Sequence, residues 1–334
     1  MVPDSSGLLR GLLKNVSRSF YLTLRALPGE IRAQIGLAYL LARATDTIAD
    51  TEIIPIAQRL EALQALRERI LGTTEKPLDF AAWAEHQASP AERILLEHCE
   101  EALALLRRFT TADQARIRKV IDIITSGQEL DLKRFAGATA NQIKALQSDE
   151  ELDDYTYRVA GCVGEFWTEM CRAHSFPECA LDERVLFRNA VRFGKGLQLV
   201  NILRDLPYDL RQGRCYLPIQ RLSTDLLVPS DLLNPENELR CRAVYDHYLE
   251  EASAHLAAGW EYTNALPRSC FRLRFACALP LLIGIQTIKK LRTQNILNHQ
   301  VRIKVDRQEV RKLVVRLLVY YPFPSAWGRL FART

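Results

Sequence analysis

The 334-residue sequence predicts an all-α protein, and three observations carry that expectation. Apolar residues recur every three or four positions through the stretches 31–49, 56–71, 91–108, 113–130, 181–205, 238–265, 275–292 and 307–320. Clusters of proline, glycine and serine separate those stretches, as breakers between helices should. No alternating apolar/polar run of useful strand length occurs, nor any internal repeat or low-complexity linker. One large all-α domain over 1–334 is the economical reading, with its core over about 10–292 and a C-terminal extension over 293–334.

Taken in order, the first helix follows Pro28-Gly29 and runs through the apolar IGLAYLLARA. The second ends before the breaker run Thr73 to Pro77. Ser89-Pro90 opens the third, a cap residue followed by proline at the first helical position, with Glu92 in its first turn. Asp113 is expected to cap the fourth. The polar run SDEELDD (148–154) reads as a loop and a helix start. Ser175 to Pro177 precede the fifth helix, which holds GLQLVNILR, and Pro229 to Pro235 and Pro267 bracket the sixth.

Composition narrows the function. With 48% hydrophobic residues the chain can bury a large core. Its 45 Lys and Arg are interspersed with 40 Asp and Glu, for a net charge of +5; a nucleic-acid protein would gather its basic residues into one stripe. An anionic substrate or anionic membrane surface fits better. Eight cysteines show neither a C-x-x-C pair nor zinc spacing, so they read as reduced core thiols of a cytoplasmic protein. The N-terminal residues are not a secretory signal, and no uncharged apolar run reaches the roughly 18 residues that would span a bilayer. The six histidines form no E-x-x-H pair, which argues against a di-iron bundle. Trp83, Trp167 and Trp260 are expected to be packing residues.

Two acidic pairs stand out. Asp46-Thr-Ile-Ala-Asp50 ends the first apolar helix, and Asp205-Leu-Pro-Tyr-Asp209 follows GLQLVNILR. Carboxylates four residues apart share a helical face and repel, at a cost of about 0.2–0.5 kcal/mol. Mg²⁺ compensates such a pair, taking a few carboxylate oxygens and completing its shell with water and substrate phosphate. Most pairs at this spacing are merely solvated, and Asp149 with Asp153 is the example here. The other two differ in having Arg43 before Asp46, and Asn201 and Arg204 before Asp205. Cations and carboxylates converging on one cavity are what a metal–diphosphate complex requires.

The blocks V16-SRSF-Y21, YLLARATDTIAD (39–50), YTYRVAGCVG (155–164) and LQLVNILRD-LPYD-LRQGRCYLP (197–218), in this order, resemble the squalene/phytoene synthase family over roughly residues 10–290. The resemblance implies a single isoprenoid-synthase-type helical bundle with a central cavity, and two aspartate-rich motifs facing each other across it. By that resemblance Asp46, Asp50, Asp205 and Asp209 bind Mg²⁺ with Asn201 close by. Arg18, Ser19, Arg43, Arg204 and Arg214 hold diphosphate oxygens, while Phe20 and Gln198 line the cavity. Tyr39 and Tyr155 line the reacting centre, and Tyr155 is the candidate for proton handling or for steadying positive charge. Some relatives carry a further acidic residue before the second aspartate of each motif. Here those places hold Ala49 and Tyr208, and Pro207 is expected to kink the second motif.

The implied reaction joins two farnesyl diphosphates into presqualene diphosphate, which NADPH reduces to squalene, a sterol or hopanoid precursor. NHQVRIKVDRQEV (298–310) resembles a segment that contributes to NADPH use, with Arg302 and Lys304 at the matching positions; a charged surface loop is the plainer reading. The apolar, arginine-bearing 313–331 fits either a peripheral membrane contact or a buried terminal helix. A monomer is expected. Phytoene, dehydrosqualene and presqualene diphosphate synthases share every motif, and a non-catalytic scaffold member should have lost motif aspartates that this chain keeps.

Overall fold

Each apolar stretch folds as a helix, because one face of each must leave water. The computed structural model describes residues 11–13, 15–16 and 21–334. Its longer helices are α1 (Gly29–Asp50), α2 (Ile56–Leu71), α3 (Pro90–Glu97), α4 (Cys99–Leu106), α5 (Thr111–Arg134), α6 (Asp149–Thr156), α7 (Cys162–His174), α8 (Glu183–Arg211), α9 (Glu238–Ala265), α10 (Phe271–Thr293) and α11 (Arg307–Tyr320). The stretch 91–108 divides at His98, and a one-turn π-helix, Tyr157–Gly161, joins α6 to α7. Among the described residues the only paired strands are β1 (Lys144–Ala145) and β2 (Arg214–Cys215), two residues each and parallel.

The chain divides into two compact units. The first comprises Met1–Lys133 and Phe166–Glu178. Here α1 packs against α2, α3 and α4, burying Ile31, Leu37, Leu40, Leu41 and Ile48 with Leu63, Leu66 and Ile70. The expected cap of α5 is corrected: the Asp113 N–H donates to Thr110 Oγ1 at 3.1 Å, and the Asp113 side chain does other work. It is 1% exposed and lies 2.9 Å from His174 Nε2 and 2.8 Å from Arg116 Nη1. A buried carboxylate needs such partners. Burial pushes the Asp113 carboxyl up, but His174, Gln34 and Arg116 outweigh it and hold it below the ordinary range.

The second unit comprises Arg134–Glu165 and Cys179–Thr334. Its centre is the long α8/α9 pair, which α10 covers, burying Leu199, Leu203, Leu206, Tyr245, Tyr248, Leu249, Leu281 and Leu282. The terminal segment is anchored by Trp327, 3% exposed and stacked on Trp260, while the Arg274 guanidinium lies 5.3 Å from the Trp327 ring. Arg274 and Trp327 also share Asn264 Oδ1. Within 313–331, Leu313, Leu317, Trp327 and Leu330 are buried, as the terminal-helix alternative expects, whereas Val315, Leu318, Val319 and Phe323 stay exposed. Among the described residues one helix, α10, is long and apolar enough to cross a membrane, but 61% of its most apolar stretch is buried in the protein. Six of the eight cysteines are buried, and burial pushes Cys99, Cys215 and Cys241 up to about 12.

Candidate active site

The first acidic pair belongs to a longer pattern. On α1, Tyr39, Arg43, Asp46 and Asp50 follow one another at intervals of four, three and four, so they form one stripe along the helix. The opposite face, with Leu37, Leu40, Leu41, Ala44 and Ile48, is buried, which fixes the rotation of the stripe. At the end of α1, Arg59 Nη1 donates to the Ala49 carbonyl (2.8 Å) and Thr51 Oγ1 to the Thr47 carbonyl (2.7 Å). These bonds satisfy carbonyls that a helix end leaves open and hold the turn carrying Asp50.

Arg43 is forked, one terminal nitrogen donating to Asp46 and the other to Glu92 on α3. Burial pulls the Arg43 guanidinium down, but Asp46 and Glu92 more than offset it. For Asp46 the balance goes the other way. Burial is the largest influence and raises its carboxyl despite Arg43, with Glu92 adding repulsion.

The second stripe lies on α8, where Gln198, Asn201, Asp205 and Asp209 follow at intervals of three, four and four. Leu199, Leu203, Leu206 and Leu210 bury the other face. Arg204 grips Asp205 with Nε at 3.0 Å and Nη2 at 2.5 Å, and Arg302 reaches the same carboxylate at 3.4 Å. Pro207 does not interrupt α8, which stays helical to Arg211. Beyond it, Gly213 takes a φ of +80°, and a Cβ there would lie 2.3 Å from the Thr139 nitrogen. Glycine is required by both conformation and space, and it sets Arg214 into its pairing with Lys144.

Tyr155, near the end of α6, is 9% exposed and stacks on Tyr216, with ring centroids 4.9 Å apart and an interplanar angle of 23°. Phe135 meets Tyr216 edge-on at 5.2 Å. The following segment lies very close to α8: a Cβ on Gly164 would fall 2.0 Å from the Ala190 carbonyl oxygen, and one on Gly194 would fall 2.1 Å from that of Ala160.

The first unit thus brings Tyr39, Arg43, Asp46 and Asp50 together, and the second Gln198, Asn201, Arg204, Asp205 and Asp209. Arg18, Ser19 and Phe20 lie outside the described residues. Arg302 and Lys304 are exposed; Arg302 touches Asp205, whereas the Lys304 carbonyl accepts from Lys290 Nζ at 2.9 Å. Glu92, expected only as a first-turn helix residue, and Tyr216 are site neighbours to which the sequence does not point. The stripe containing Arg43 could have signalled a shared anion, but not that its source lies 49 residues away. The third acidic pair is consumed by structure. Asp149 takes Arg221 (2.6 Å) and the Tyr248 hydroxyl (2.6 Å), and Asp153 takes Lys195 (2.5 Å). Burial raises the Asp149 carboxyl, but Arg221 and Tyr248 leave it below its ordinary value.

Among the described residues no group of three or more carboxylate, thiol or imidazole side chains is preassembled for a metal. Mg²⁺ does not need one, because two carboxylates with phosphate oxygens and water complete its octahedron. The all-oxygen donor sets of the two stripes fit that ion.

The squalene/phytoene synthase family model matches residues 13–309. Squalene synthase ERG9 of Saccharomyces cerevisiae is 26% identical over 88% of this chain and 63% of its own length. The corresponding protein of Gibberella zeae is 26% identical over 87% of this chain and 60% of its own length. The chain thus spans about three fifths of these curated relatives. A bifunctional lycopene cyclase/phytoene synthase of Gibberella fujikuroi is 29% identical over 72% of this chain and 40% of its own length. Among solved structures, the ligand complex of TcSQS with E5700 superposes with a TM-score of 0.78 at 20% identity, covering 99% of this chain and 92% of that one. Squalene synthase HpnC from Alicyclobacillus acidocaldarius gives 0.62 at 20% identity, covering 87% and 94%. The helical fold is that of these isoprenoid synthases, and the chain belongs to the squalene/phytoene synthase family.

Proposed function

We propose that the chain is a Mg²⁺-dependent prenyltransferase that joins two farnesyl diphosphates head to head and, with NADPH, delivers squalene. The observation that carries this reading is the pair of acidic stripes, each with an arginine among or beside its carboxylates. Asp46 and Asp50, and Asp205 and Asp209 with Asn201, would hold Mg²⁺ against substrate diphosphate. When bound, the metal neutralises the leaving diphosphate and so eases ionisation.

The chain's own residues do the rest. Arg43, Arg204 and Arg214, with Arg18 and Ser19, bind diphosphate oxygens. As the first carbon–oxygen bond breaks, C1 of one farnesyl chain bonds to the C2–C3 double bond of the other. A proton leaves as the cyclopropane closes. Tyr155, stacked on Tyr216, presents a π-face to the developing cation, and Tyr39, Phe20 and Gln198 exclude water. Loss of the second diphosphate would leave a cation, for which NADPH, when bound, would supply the quenching hydride. Arg302 and Lys304 are the candidate NADPH contacts, and the exposure of both leaves them free to meet a large ligand.

The whole chain acts as one catalytic domain and as a monomer. A cytoplasmic protein with a peripheral membrane contact suits so apolar a product. The exposed Val315, Leu318, Val319 and Phe323, with Arg311 and Lys312 also exposed on α11, support that contact. The likeness to phytoene synthases supports a second reading, in which two allylic diphosphates are condensed without reduction.

Mass spectrometry of products from purified protein, farnesyl diphosphate and Mg²⁺, with and without NADPH, separates the two. Squalene formed only with NADPH is the expected result. Products indifferent to NADPH, or turnover of geranylgeranyl diphosphate alone, would favour the second reading. No turnover of either substrate would leave a scaffold role.

A further inference from the structure

Pro207 sits between the two carboxylates of the α8 stripe, and it poses a specific problem. A proline has no N–H, so the carbonyl four residues earlier, that of Leu203, loses its helical partner. Leu203 is 1% exposed, which keeps water from supplying the missing donor. An unpaired carbonyl in a dry interior would favour opening the turn. Yet α8 remains helical through Asp205, Pro207 and Asp209 to Arg211.

The replacement donor comes from α9. The Tyr245 hydroxyl donates to the Leu203 carbonyl at 2.9 Å, and Tyr245 is fully buried. Its ring is fixed on one side by the Arg242 guanidinium, 5.9 Å from the centroid. One turn later, Arg211 Nη1 donates to the Pro207 carbonyl at 2.7 Å. The turn that bears Asp205 and Asp209 is thus held from the buried side by a phenol and at its end by a guanidinium.

We infer that Tyr245 is a positioning residue for the second acidic pair, its hydroxyl standing in for the backbone donor that Pro207 withholds from Leu203. The inference rests on the proposed role of Asp205 and Asp209 as metal ligands. It makes Pro207 and Tyr245 a matched pair. The phenol matters because the proline is there, and restoring a backbone N–H at position 207 removes the need for it.

The test is a double-mutant cycle read as metal binding rather than turnover. Mn²⁺ is titrated into the protein with inorganic pyrophosphate, and free Mn²⁺ is followed by electron paramagnetic resonance. The proteins are wild type, Tyr245→Phe, Pro207→Ala and the double variant. Loss of a group that orients metal ligands costs about 10–100-fold in affinity, so Tyr245→Phe should raise the half-saturating Mn²⁺ by that order. In the Pro207→Ala background the same substitution should change it by less than about twofold, because the N–H of residue 207 then serves Leu203. Equal weakening in both backgrounds, or none in wild type, would overturn the inference alone. No Mn²⁺–pyrophosphate binding by wild type would sink the proposed site and the inference with it. If Tyr245→Phe fails to fold, the double variant should recover folding, and failure to recover counts against the pairing.

Discussion

Replacing Gly164 with alanine should separate two segments that the fold holds in backbone contact. The added Cβ would lie 2.0 Å from the Ala190 carbonyl oxygen, 2.5 Å from its carbon and 3.1 Å from the Val191 nitrogen. Carbon does not approach such an oxygen closer than about 3 Å, so α7 and α8 must part locally by roughly 1 Å. All three obstacles are main chain, and no rotamer change relieves them. Overpacking of this kind costs about 1–3 kcal/mol, and the rigidity of the obstacle places this site at the upper end. Alanine's better helix propensity returns about 1 kcal/mol. With an unfolding entropy of about 2.1 cal/mol/K per residue over the 334 residues, a net loss of about 2 kcal/mol should lower the melting temperature by roughly 3 °C, followed by far-ultraviolet circular dichroism. Gly328→Ala is the control, since nothing lies within 4 Å of its would-be Cβ. A Gly164→Ala protein that melts with wild type, or above it like the control, would refute the close-packing argument.

Other consequences are equally direct. Asp113→Asn should destabilise the protein by about 3 kcal/mol at neutral pH by leaving Arg116 and His174 without their buried anion. Because the Asp113 carboxyl is held below its ordinary value, its contribution is complete above the unfolded carboxyl's pKa of about 3.9 and is lost as pH falls through the folded value. Urea titrations should therefore show the gap between variant and wild type closing below about pH 4; a gap that widens there would contradict the assignment. Trp327→Ala should cost about 3–5 kcal/mol in the same assay, whereas Phe323→Ser, at an exposed position, should cost less than about 0.5 kcal/mol. Asp153→Asn removes an ion pair rather than a metal ligand, so the Mg²⁺ dependence of turnover should move by less than about twofold.

The long helices were legible because burial of one face imposes a 3.6-residue period. What lay beyond that period was not. SDEELDD reads as a loop and a helix start, and α6 does begin at Asp149; the run does not disclose Arg221, Tyr248 and Lys195, which partner its carboxylates from outside it. The π-turn at Tyr157–Gly161 puts the residues on either side of it out of a simple helical register. Gly194 has no motif around it to explain it; its reason is the Ala160 carbonyl, a partner that the sequence does not name. The site divides in the same way. Both acidic stripes can be read from spacing on one helix, while Glu92 beside Arg43 and Tyr216 beside Tyr155 depend on contacts 49 and 61 residues away. Pro207 reads as a helix breaker until Tyr245 is seen to satisfy the carbonyl it orphans.

If both acidic stripes bring Mg²⁺ to a substrate diphosphate, pyrophosphate release from farnesyl diphosphate by wild type, Asp46→Asn and Asp205→Asn across a Mg²⁺ titration will show it. Chelation should abolish release, and each substitution should cut it by about 100-fold at a Mg²⁺ level saturating for wild type. Release that survives chelation, or that either variant sustains at the wild-type rate, would contradict that role.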